Sequence, residues 1–580
     1  MSYILRYLKR YPWEVLAIVI STVITCLSIL GMPTMLANMI DKAIVVNKMD
    51  QAWPYAWGML AFTVLGFISR TVRMYMASRV VSDMTMTIRN DVYAKMLALS
   101  HHEFQSFGVP SLTNRITTDA FVILQFTELI LKQGMMAPFM LVLSMTMIIN
   151  TAPYLGLRVL PSGILIVVVV LLIGKFSRKL SERQQKYLDK LNRVLRESIT
   201  GLKVIRAFNR EDFQNKRFKT ENKVYRHTSS SLFKLMAASP SIFSFLLNVS
   251  IVIILYMGAQ MVQAGQLQVG TLSAFIEYIF HGLFSLMIFS NIFMMYPRAA
   301  VSAGRLEEVD QAPITVENPQ HPVKSGCKKG TLEFINVDFY YPDAEEPVLR
   351  GISFRSEAGQ TTAFIGSTGS GKSSIVKLIP RFFDVSKGQI LVNGIDVRDY
   401  DLKDLRAKIG YTPQSALLFK GKIADNLRYG KHDADYTDMD MATGVAQAQD
   451  FIYKLDEGYD SLLAEKGSNL SGGQKQRLSI ARSIIDRREI YIFDDSFSAL
   501  DYQTDAKVRA ALKEATKDAT TIIVAQRVST IRHADQIIVL DKGRIAAIGR
   551  HEELLKTSET YHRIAASQLS KEELAHEIQT

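Results

Sequence analysis

Residues 361–373 read TTAFIGSTGSGKS, and this stretch indicates an α/β domain in the second half of the chain. Its first part, Thr361–Ile365, has the apolar character of a short buried strand, and Ser374–Pro380 has the pattern of a helix. A glycine-rich loop between a strand and a helix lets backbone N–H groups converge on phosphate oxygens. Lys372 would reach the β- and γ-phosphates of a nucleotide, and Ser373 would offer its hydroxyl to Mg²⁺. The predicted phosphate loop comprises Gly366, Ser367, Thr368, Gly369, Ser370, Gly371, Lys372, Ser373 and Ser374.

Two further motifs lie between this loop and the C-terminus. Glu489–Phe493 reads EIYIF and is followed by Asp494, and a buried strand that ends in a carboxylate suits a Mg²⁺-holding residue. A glycine-containing loop precedes an apolar helical pattern over 478–485, which predicts a second anion site at a helix N-terminus. Because one nucleotide does not need two phosphate loops in one domain, this second loop is predicted to serve a nucleotide held by another copy of the domain. Its residues are Leu470, Ser471, Gly472, Gly473 and Gln474.

The first half of the chain has a different composition. The 580 residues carry a net charge of +12, yet long uncharged runs occupy the chain up to about residue 298. The hydrophobic fraction of 48 % excludes a disordered chain, a collagen and a small disulfide scaffold, and the runs are too long for a plain soluble enzyme. The sequence therefore predicts an α-helical transmembrane domain over 1–310, a linker over 311–330 and an α/β nucleotide-binding domain over 331–580.

Six runs are long enough to cross a bilayer as helices, since the hydrocarbon core takes about 20 helical residues. They are Val15–Ile40, Ala52–Ser69, Gln133–Leu157, the region around Ile164–Ile173, the first part of Leu235–Ile276, and a last span completed by Tyr278–Pro297. Lys and Arg are concentrated before the first span, between the second and third, and between the fourth and fifth, which predicts cytoplasmic termini in a cell (plasma) membrane. We interpret the positive charge as a sign of how the spans are oriented in the lipid membrane, and not as a nucleic-acid-binding surface.

Several segments outside the spans carry weaker signals. Arg70–His101 and Arg178–Lys234 contain little Gly or Pro, so both are predicted to continue the spans as long cytoplasmic helices. Residues 2–11 alternate apolar and basic side chains, which predicts a short helix in the membrane interface, and the first span is too long for a signal peptide. Cys26 and Cys327 predict neither a disulfide nor a metal site.

In this order and context, the motifs resemble those of the ATP-binding cassette (ABC) exporters. The resemblance covers nearly the whole chain, with six spans followed by one nucleotide-binding domain, as in a half-transporter. It implies ATP and Mg²⁺ as ligands, with Tyr341 stacked on adenine. It also implies that Ser373, Gln414 and Asp494 hold Mg²⁺. Leu470–Gln474 matches the family signature, and Asp501 matches a loop residue that lies across the dimer interface.

The cytoplasmic connections resemble the coupling segments of the family. One lies near residues 101–120 and the other near 201–215, and the second would contact the nucleotide-binding domain of the partner. The residues that carry this resemblance are Leu112, Arg115, Asp119, Ile205 and Phe208.

Two positions depart from the family pattern. Asp495 stands where the family has the Glu that acts as general base, and a base must lie within hydrogen-bond reach of the proton that it takes. Gln526 stands where the family has a switch His, and an amide cannot become cationic. Both changes fall on one ATP site, whereas the signature is intact. The resemblance therefore implies the degenerate-site subunit of a bacterial heterodimeric multidrug exporter, with a second half-transporter as its partner; a slowly hydrolysing homodimer is the alternative.

The substrate is less well indicated. The Met- and Phe-rich last span suits a promiscuous cavity for hydrophobic small molecules, and it suits lipid-facing or packing surfaces equally well. Glu277 and His281 lie one turn apart on that span. They could contact a cationic drug, or they could form a hydrogen-bonded pair that packs the helices together. Asp41 resembles an acidic residue of the external gate. A lipid or peptide exporter remains an alternative, as does a nucleotide-gated regulatory or channel subunit; the absence of a peptidase domain before the first span argues against a peptide-processing exporter.

Overall fold

The computed structural model describes residues 1–323, 329–342, 344–569 and 574. Cys327 lies outside these residues, and Cys26 is a buried free thiol. The chain divides into two compact units: residues 1–98 with 107–312, and residues 99–106 with 313–580. The short segment 99–106 thus belongs to the second unit, although it lies within the predicted transmembrane domain. The predicted boundaries at 310 and 331 stay predictions.

The first unit is helical. Its helices, with α4 shared between the units, are α1 (Ser2–Leu8), α2 (Pro12–Met39), α3 (Ala52–Ala98), α4 (His101–Phe107), α5 (Val109–Asn114), α6 (Ala120–Leu129), α7 (Met136–Thr151), α8 (Pro153–Thr200), α9 (Leu202–Ala207), α10 (Glu211–Gln263) and α11 (Val269–Gln311). Three π-helical turns, Ile40–Ile44, Arg115–Asp119 and Ile130–Gly134, each contact α11. At 1.5 Å per residue, a helix such as α3 is about 70 Å long. The predicted continuation of the spans into long helices is therefore present.

Six helical segments within the described residues are long and apolar enough to cross a membrane, which confirms the predicted number. They are Pro12–Ile44, Met49–Ala98, Val109–Thr151, Pro153–Thr200, Glu211–Gln263 and Val269–Phe289. The predicted bounds of the third span were wrong, because Gln133–Leu157 runs across the break at Ala152. Pro153 begins α8 there, and a proline suits a first helical turn, where its missing N–H costs no hydrogen bond.

Small residues set the close approach of α2 and α3. A Cβ on Gly31 would lie 2.7 Å from the ring of Phe62, so only glycine fits there. Nearby, Thr25 Oγ1 and Ser69 Oγ are 3.0 Å apart. Close packing of this kind and hydrogen bonds between helices are what hold helices together in a bilayer, where apolar burial gives no net drive.

The short helix α1 is tied to the same unit. Tyr3, Ile4 and Tyr7 are buried, and Tyr7 OH donates to Asp91 at 3.0 Å. On its outer side Arg6 donates to Asp310 at 2.8 Å, near the end of α11. This helix is therefore present where the sequence predicts it, with one face packed against α3 and α11.

The second unit is built on β-sheets. Its strands are β1 (Leu332–Phe339), β2 (Leu349–Ser356), β3 (Thr361–Gly366), β4 (Lys387–Val392), β5 (Ile395–Asp396), β6 (Ile409–Thr412), β7 (Gly421–Lys422), β8 (Leu462–Leu463), β9 (Ile490–Asp494), β10 (Thr520–Val524), β11 (Gln536–Asp541) and β12 (Arg544–Gly549). The larger sheet has the order β12-β11-β3-β10-β9-β6 and is parallel except for β12. An antiparallel sheet, β2-β1-β4-β5, and the pair β7-β8 complete the strands of the described residues. The strands predicted around residues 332, 361 and 490 are confirmed.

Helices cover both faces of the larger sheet, and two apolar cores follow. The helices are α12 (Lys372–Leu378), α13 (Leu402–Ala407), α14 (Ile423–Arg428), α15 (Tyr436–Val445), α16 (Gln449–Ile452), α17 (Gly472–Ile484), α18 (Tyr502–Ala515), α19 (Val528–Ile531), α20 (His551–Thr557) and α21 (Glu559–Ala566). Successive residues of β9 alternate between the cores, with Tyr491 and Phe493 in one and Ile490 and Ile492 in the other. A strand that is buried on both faces has a continuous run of apolar residues, as β9 does over Ile490–Phe493.

Candidate nucleotide site

Three neighbouring parallel strands end at one edge of the larger sheet. β10 lies between β3 and β9, with Val524 paired to Phe364 on one side and to Asp494 on the other. Because the carboxyl ends of parallel strands meet at the same edge, the phosphate loop, Asp494 and the Gln526 segment are brought together. Ligands of open α/β sheets bind at this edge.

The phosphate loop is compact and closes around its lysine. Lys372 Nζ donates to the carbonyl oxygens of Gly366 at 2.9 Å and Ser367 at 2.8 Å. Gly371 precedes α12 with φ +100°, a conformation that side chains with a Cβ rarely adopt. A Cβ on Gly366 would lie 2.7 Å from Ser370 Oγ, so the loop requires glycine at this position too. Burial lowers the pKa of Lys372, and the nearby carboxylates Asp495 and Asp494 oppose this shift.

Asp494 and Ser373 form a hydroxyl–carboxylate pair beside the loop. Ser373 Oγ donates to Asp494 Oδ1 at 3.0 Å, and Asp494 is 2 % exposed. Burial raises the pKa of Asp494, and the hydrogen bond from Ser373 opposes the rise. A hydroxyl and a carboxylate oxygen are the ligands that Mg²⁺ takes in nucleotide sites, and a cation there would offset the cost of burying the carboxylate. The residues present therefore fit Mg²⁺.

Asp495 sits between two glutamine side chains. Gln526 Nε2 donates to its Oδ2 at 2.8 Å, and Gln414 Nε2 donates to the same oxygen at 3.4 Å. The residue has φ +48°, in the left-handed region, and is 8 % exposed. Burial raises the pKa of Asp495, and hydrogen bonds from Gln414 and Gln526 partly oppose the rise. The two departures from the family pattern thus contact each other directly.

The aromatic residue proposed to stack on adenine belongs to an aromatic cluster. Tyr341 packs edge-on against Phe383, with ring centroids 5.3 Å apart, and its hydroxyl lies 3.0 Å from Ser374 Oγ. His101 also packs against Phe383 at 5.5 Å and stacks on Phe382 at 6.2 Å. Sequence reasoning missed His101, because the signal lies in a contact between distant parts of the chain and not in a local motif.

The signature loop caps its own helix. Ser471 Oγ accepts from the Gln474 N–H at 3.3 Å, and Gln474 Oε1 accepts from the Ser471 N–H at 2.9 Å. This capping box leaves Ser471 and Gly472 exposed at the start of α17. Asp501 likewise caps α18, accepting from the Thr504 N–H at 3.0 Å.

The residues of the two predicted coupling segments lie in different environments. Leu112, Arg115 and Asp119 are buried in the first unit. There Arg115 donates to Glu308 at 2.8 Å and Asp119 accepts from Ser302 Oγ at 2.7 Å, so both contact α11. In contrast, Ile205 is half-buried and Phe208 is 73 % exposed. Their roles in coupling stay predictions.

The candidate gate and cavity residues also make definite contacts. Asp41 Oδ1 accepts from the Gly270 N–H at 2.6 Å, and its Oδ2 accepts from Thr271 N at 2.8 Å and Thr271 Oγ1 at 2.9 Å. Asp41 therefore caps the N-terminus of α11. Glu277 Oε2 lies 3.8 Å from His281 Nε2 on the same helix.

Comparison with known proteins agrees with this architecture. The ABC transporter transmembrane region matches residues 15–287, and the ABC transporter domain matches residues 349–498. A bacterial Atm1-family ABC exporter, solved with ATP bound, superimposes with a TM-score of 0.80 over 96 % of this chain and 98 % of that chain, at 24 % identity. That likeness shows the shared fold.

Similar sequences extend over almost the whole chain. An uncharacterized ABC transporter ATP-binding protein of Mycobacterium tuberculosis is 37 % identical over 97 % of both chains. An ATP-dependent lipid A-core flippase of Syntrophus aciditrophicus is 32 % identical over 87 % of this chain and 83 % of its own. A Staphylococcus aureus ATP-binding/permease protein named for multidrug export is 29 % identical over 97 % of this chain and 99 % of its own. The chain belongs to the ABC transporter family and is an exporter half-transporter, in which a six-helix membrane domain precedes one ATP-binding domain.

Proposed function

We propose that this chain is the degenerate-site subunit of a heterodimeric multidrug exporter in the cell membrane. One observation carries the proposal: the Gln526 amide donates to Asp495 Oδ2 at 2.8 Å, at the edge where ATP binds. The carboxylate that would accept a proton from the attacking water is thus one methylene shorter than glutamate and already accepts an amide hydrogen. Gln526 can donate to a phosphate oxygen but cannot add a positive charge. Slow hydrolysis at this site follows.

The chain's own residues then divide into two tasks. Lys372 and the phosphate loop hold the phosphates of ATP, Tyr341 holds the base, and Asp494 with Ser373 would hold Mg²⁺. When bound, the metal supplies positive charge against the phosphates. The exposed signature loop of this chain completes the ATP site of the partner, where hydrolysis takes place. Longer ATP retention on this chain would favour the closed state of the pair, provided that ATP binds that state more tightly than the open one.

Hydrophobic or amphipathic drugs are the proposed substrates. The Met- and Phe-rich helix α11 and the Staphylococcus aureus relative support this choice. Glu277, with its side chain half exposed, and His281 would add a polar contact for a cationic drug within an apolar surface. Export of a lipid is the second candidate, favoured by the 32 % identity to a lipid A-core flippase.

The first experiment is recovery of the tagged chain from its native membrane, followed by intact-mass analysis of the complex. The proposal expects a second half-transporter with Glu and His at the positions that match Asp495 and Gln526. Recovery of the chain with itself alone would require Asp495 to act as the base, and the proposed asymmetry would then be wrong.

A second experiment separates the two ATP sites. In the assembled pair, Asp495→Ala should change the ATPase rate by less than about threefold. Replacing the partner's glutamate should lower the rate by about 10² or more, the range of a lost general base. Equal losses from the two substitutions would contradict the assignment.

The substrate class is tested on the same preparation in vesicles. Stimulation of ATPase and transport by drugs supports multidrug export, and stimulation by lipid alone supports the second candidate. A pair that binds ATP but transports neither would instead be a regulatory or channel subunit.

A further inference from the structure

The C-terminal segment reaches the ATP site through one side chain. Gln568 follows α21, and its Nε2 donates to the carbonyl oxygen of Gln526 at 2.7 Å. Its Oε1 accepts from the N–H of Val528 at 2.8 Å. A single carboxamide therefore bridges both ends of the three-residue segment Gln526–Val528. Both partner groups are backbone atoms, so the bridge holds the path of the segment whatever side chains it carries.

The bridged segment positions the amide that contacts Asp495. Upstream, the Ala525 N–H donates to the carbonyl oxygen of Phe364 at 3.1 Å, which fixes the end of β10 to β3. Beyond that point Gln526 is exposed and begins the turn into α19. Gln568 supplies a second fixed point there. The Gln526 side chain can thus be held on Asp495 Oδ2 while its backbone lies outside the sheet.

Gln568 is itself anchored by the fold. Tyr561 and Ala565, on α21, are fully buried, and Leu569 and Leu574 pack against the larger apolar core. Displacing the backbone of Gln568 would disturb these apolar contacts, at a cost greater than that of one surface hydrogen bond. The packing of α21 against the core therefore fixes the position of the Gln568 backbone, from which the carboxamide extends.

We infer that Gln568 is a positioning residue of this ATP site: it holds Gln526–Val528 so that the Gln526 amide stays between Asp495 and the terminal phosphate of bound ATP. The inference deepens the proposed function and rests on it only in the roles given to Asp495 and Gln526. Loss of the bridge would free the segment, and ATP would leave this chain faster.

The test measures ATP retention on this chain alone, in the full-length complex recovered from membranes. The complex is loaded with 8-azido-ATP, diluted into excess ATP and irradiated at intervals, and the label on this chain is resolved from any partner by mass. Gln568→Ala should speed loss of the label about fivefold, the factor that corresponds to one net hydrogen bond. Ser567→Ala is the matched control, since its hydroxyl bonds back to the Ile564 carbonyl at 2.7 Å on the same helix; it should leave retention unchanged.

A double-mutant cycle distinguishes positioning from general support of the fold. If Gln568 acts through Gln526, then Gln568→Ala should have almost no further effect on retention in a Gln526→Ala background. Gln568→Glu keeps the acceptor for Val528 but loses the donor to Gln526, so it should not restore wild-type retention. Additive effects of the two alanine substitutions, or wild-type retention in Gln568→Ala, would overturn the inference. Because the label is read on this chain, a homodimeric complex would refute the proposed heterodimer without changing this result.

Discussion

At the scale of single residues, the ATP site depends on how carboxylates are buried and paired. Asp494 and Asp495 are adjacent in sequence but have different partners, a serine hydroxyl for one and two amides for the other. Within the described part of the chain, no lysine lies at hydrogen-bond distance from either carboxylate, because Lys372 is directed to carbonyl oxygens of its own loop. In the nucleotide-free protein, burial therefore dominates both pKa values.

This burial gives a pH dependence with a definite sign. The pKa of Asp495 is raised above its ordinary value of 3.8, so the folded protein binds the proton more tightly than the unfolded protein does. The folded state then loses stability as pH rises from 3.8 through the raised pKa. Asp495→Asn removes this titration. Its unfolding midpoint, measured without nucleotide, should rise relative to wild type across that interval and stay level at higher pH; a difference independent of pH would show that Asp495 is not strained by its burial.

At the scale of secondary-structure elements, α11 packs against most of the other helices in the membrane unit. Its N-terminus is capped by Asp41 and its C-terminal part is bonded to Arg115 and Asp119. Each of these residues lies in a π-helical turn, and such turns redirect side chains within an otherwise continuous helix. The gate and coupling candidates thus converge on one helix.

Two substitutions distinguish the role of Asp41 as a helix cap from a role of its negative charge. Asp41→Ala removes the acceptor for Gly270 and Thr271 and should cost about 2 kcal/mol of unfolding free energy, the upper range for a lost N-cap. Asp41→Asn keeps one acceptor oxygen and should retain most of the stability, because Asn caps helices as well as Asp does. Unfolding midpoints in detergent micelles measure both, with Asp50→Ala, at an exposed carboxylate of the same connection, as control. If Asp41→Asn keeps stability but lowers transport, the negative charge itself has a function.

At the scale of the whole molecule, the chain presents surfaces that suit a second half-transporter. The signature loop is exposed. Three apolar side chains on α9 and at the residue that follows it are also exposed, with 46 % of the surface of Leu202, 61 % of Val204 and 73 % of Phe208 accessible. Apolar side chains gathered on one short helix are typical of a binding surface. A half-transporter has one membrane domain and one ATP-binding domain, so a complete transporter needs two half-transporters.

The exposed helix gives a test of coupling between the two chains. Phe208→Glu places a charge on this surface and should lower substrate-stimulated ATPase of the pair about 30-fold or more, since loss of a central aromatic anchor costs about 2 kcal/mol or more of binding free energy. ATP binding to this chain should be unchanged, because Phe208 is outside the second unit. Val224→Glu, at an exposed apolar position of α10, is the matched control. Unimpaired stimulation in Phe208→Glu would remove this residue from the coupling surface.

Elements with a local signal could be predicted from the amino-acid sequence. The loop from Gly366 to Ser373 and the strand before Asp494 are local motifs whose residue types are required by both their structure and their function. The lengths of the spans are set by the thickness of a bilayer. The same local reading found Asp495 and Gln526 as departures, because each occupies a fixed offset from a strand end. Where two apolar runs merged, as in Gln133–Leu157, composition alone could not find the break at Ala152.

Contacts between residues that are distant in the chain could not be predicted in this way, because they form only when the chain folds. The contact of Gln526 with Asp495 follows from the pairing of β10 with β9, and the bridge from Gln568 requires α21 to pack against the larger apolar core. His101 joins the aromatic cluster of Tyr341 in the same way. Hydrogen bonds and ring contacts act over a few ångströms, whereas these partners are separated by tens to hundreds of residues. The positions of these residues in the sequence therefore do not predict the contacts, which form only when the sheet and its helices are assembled.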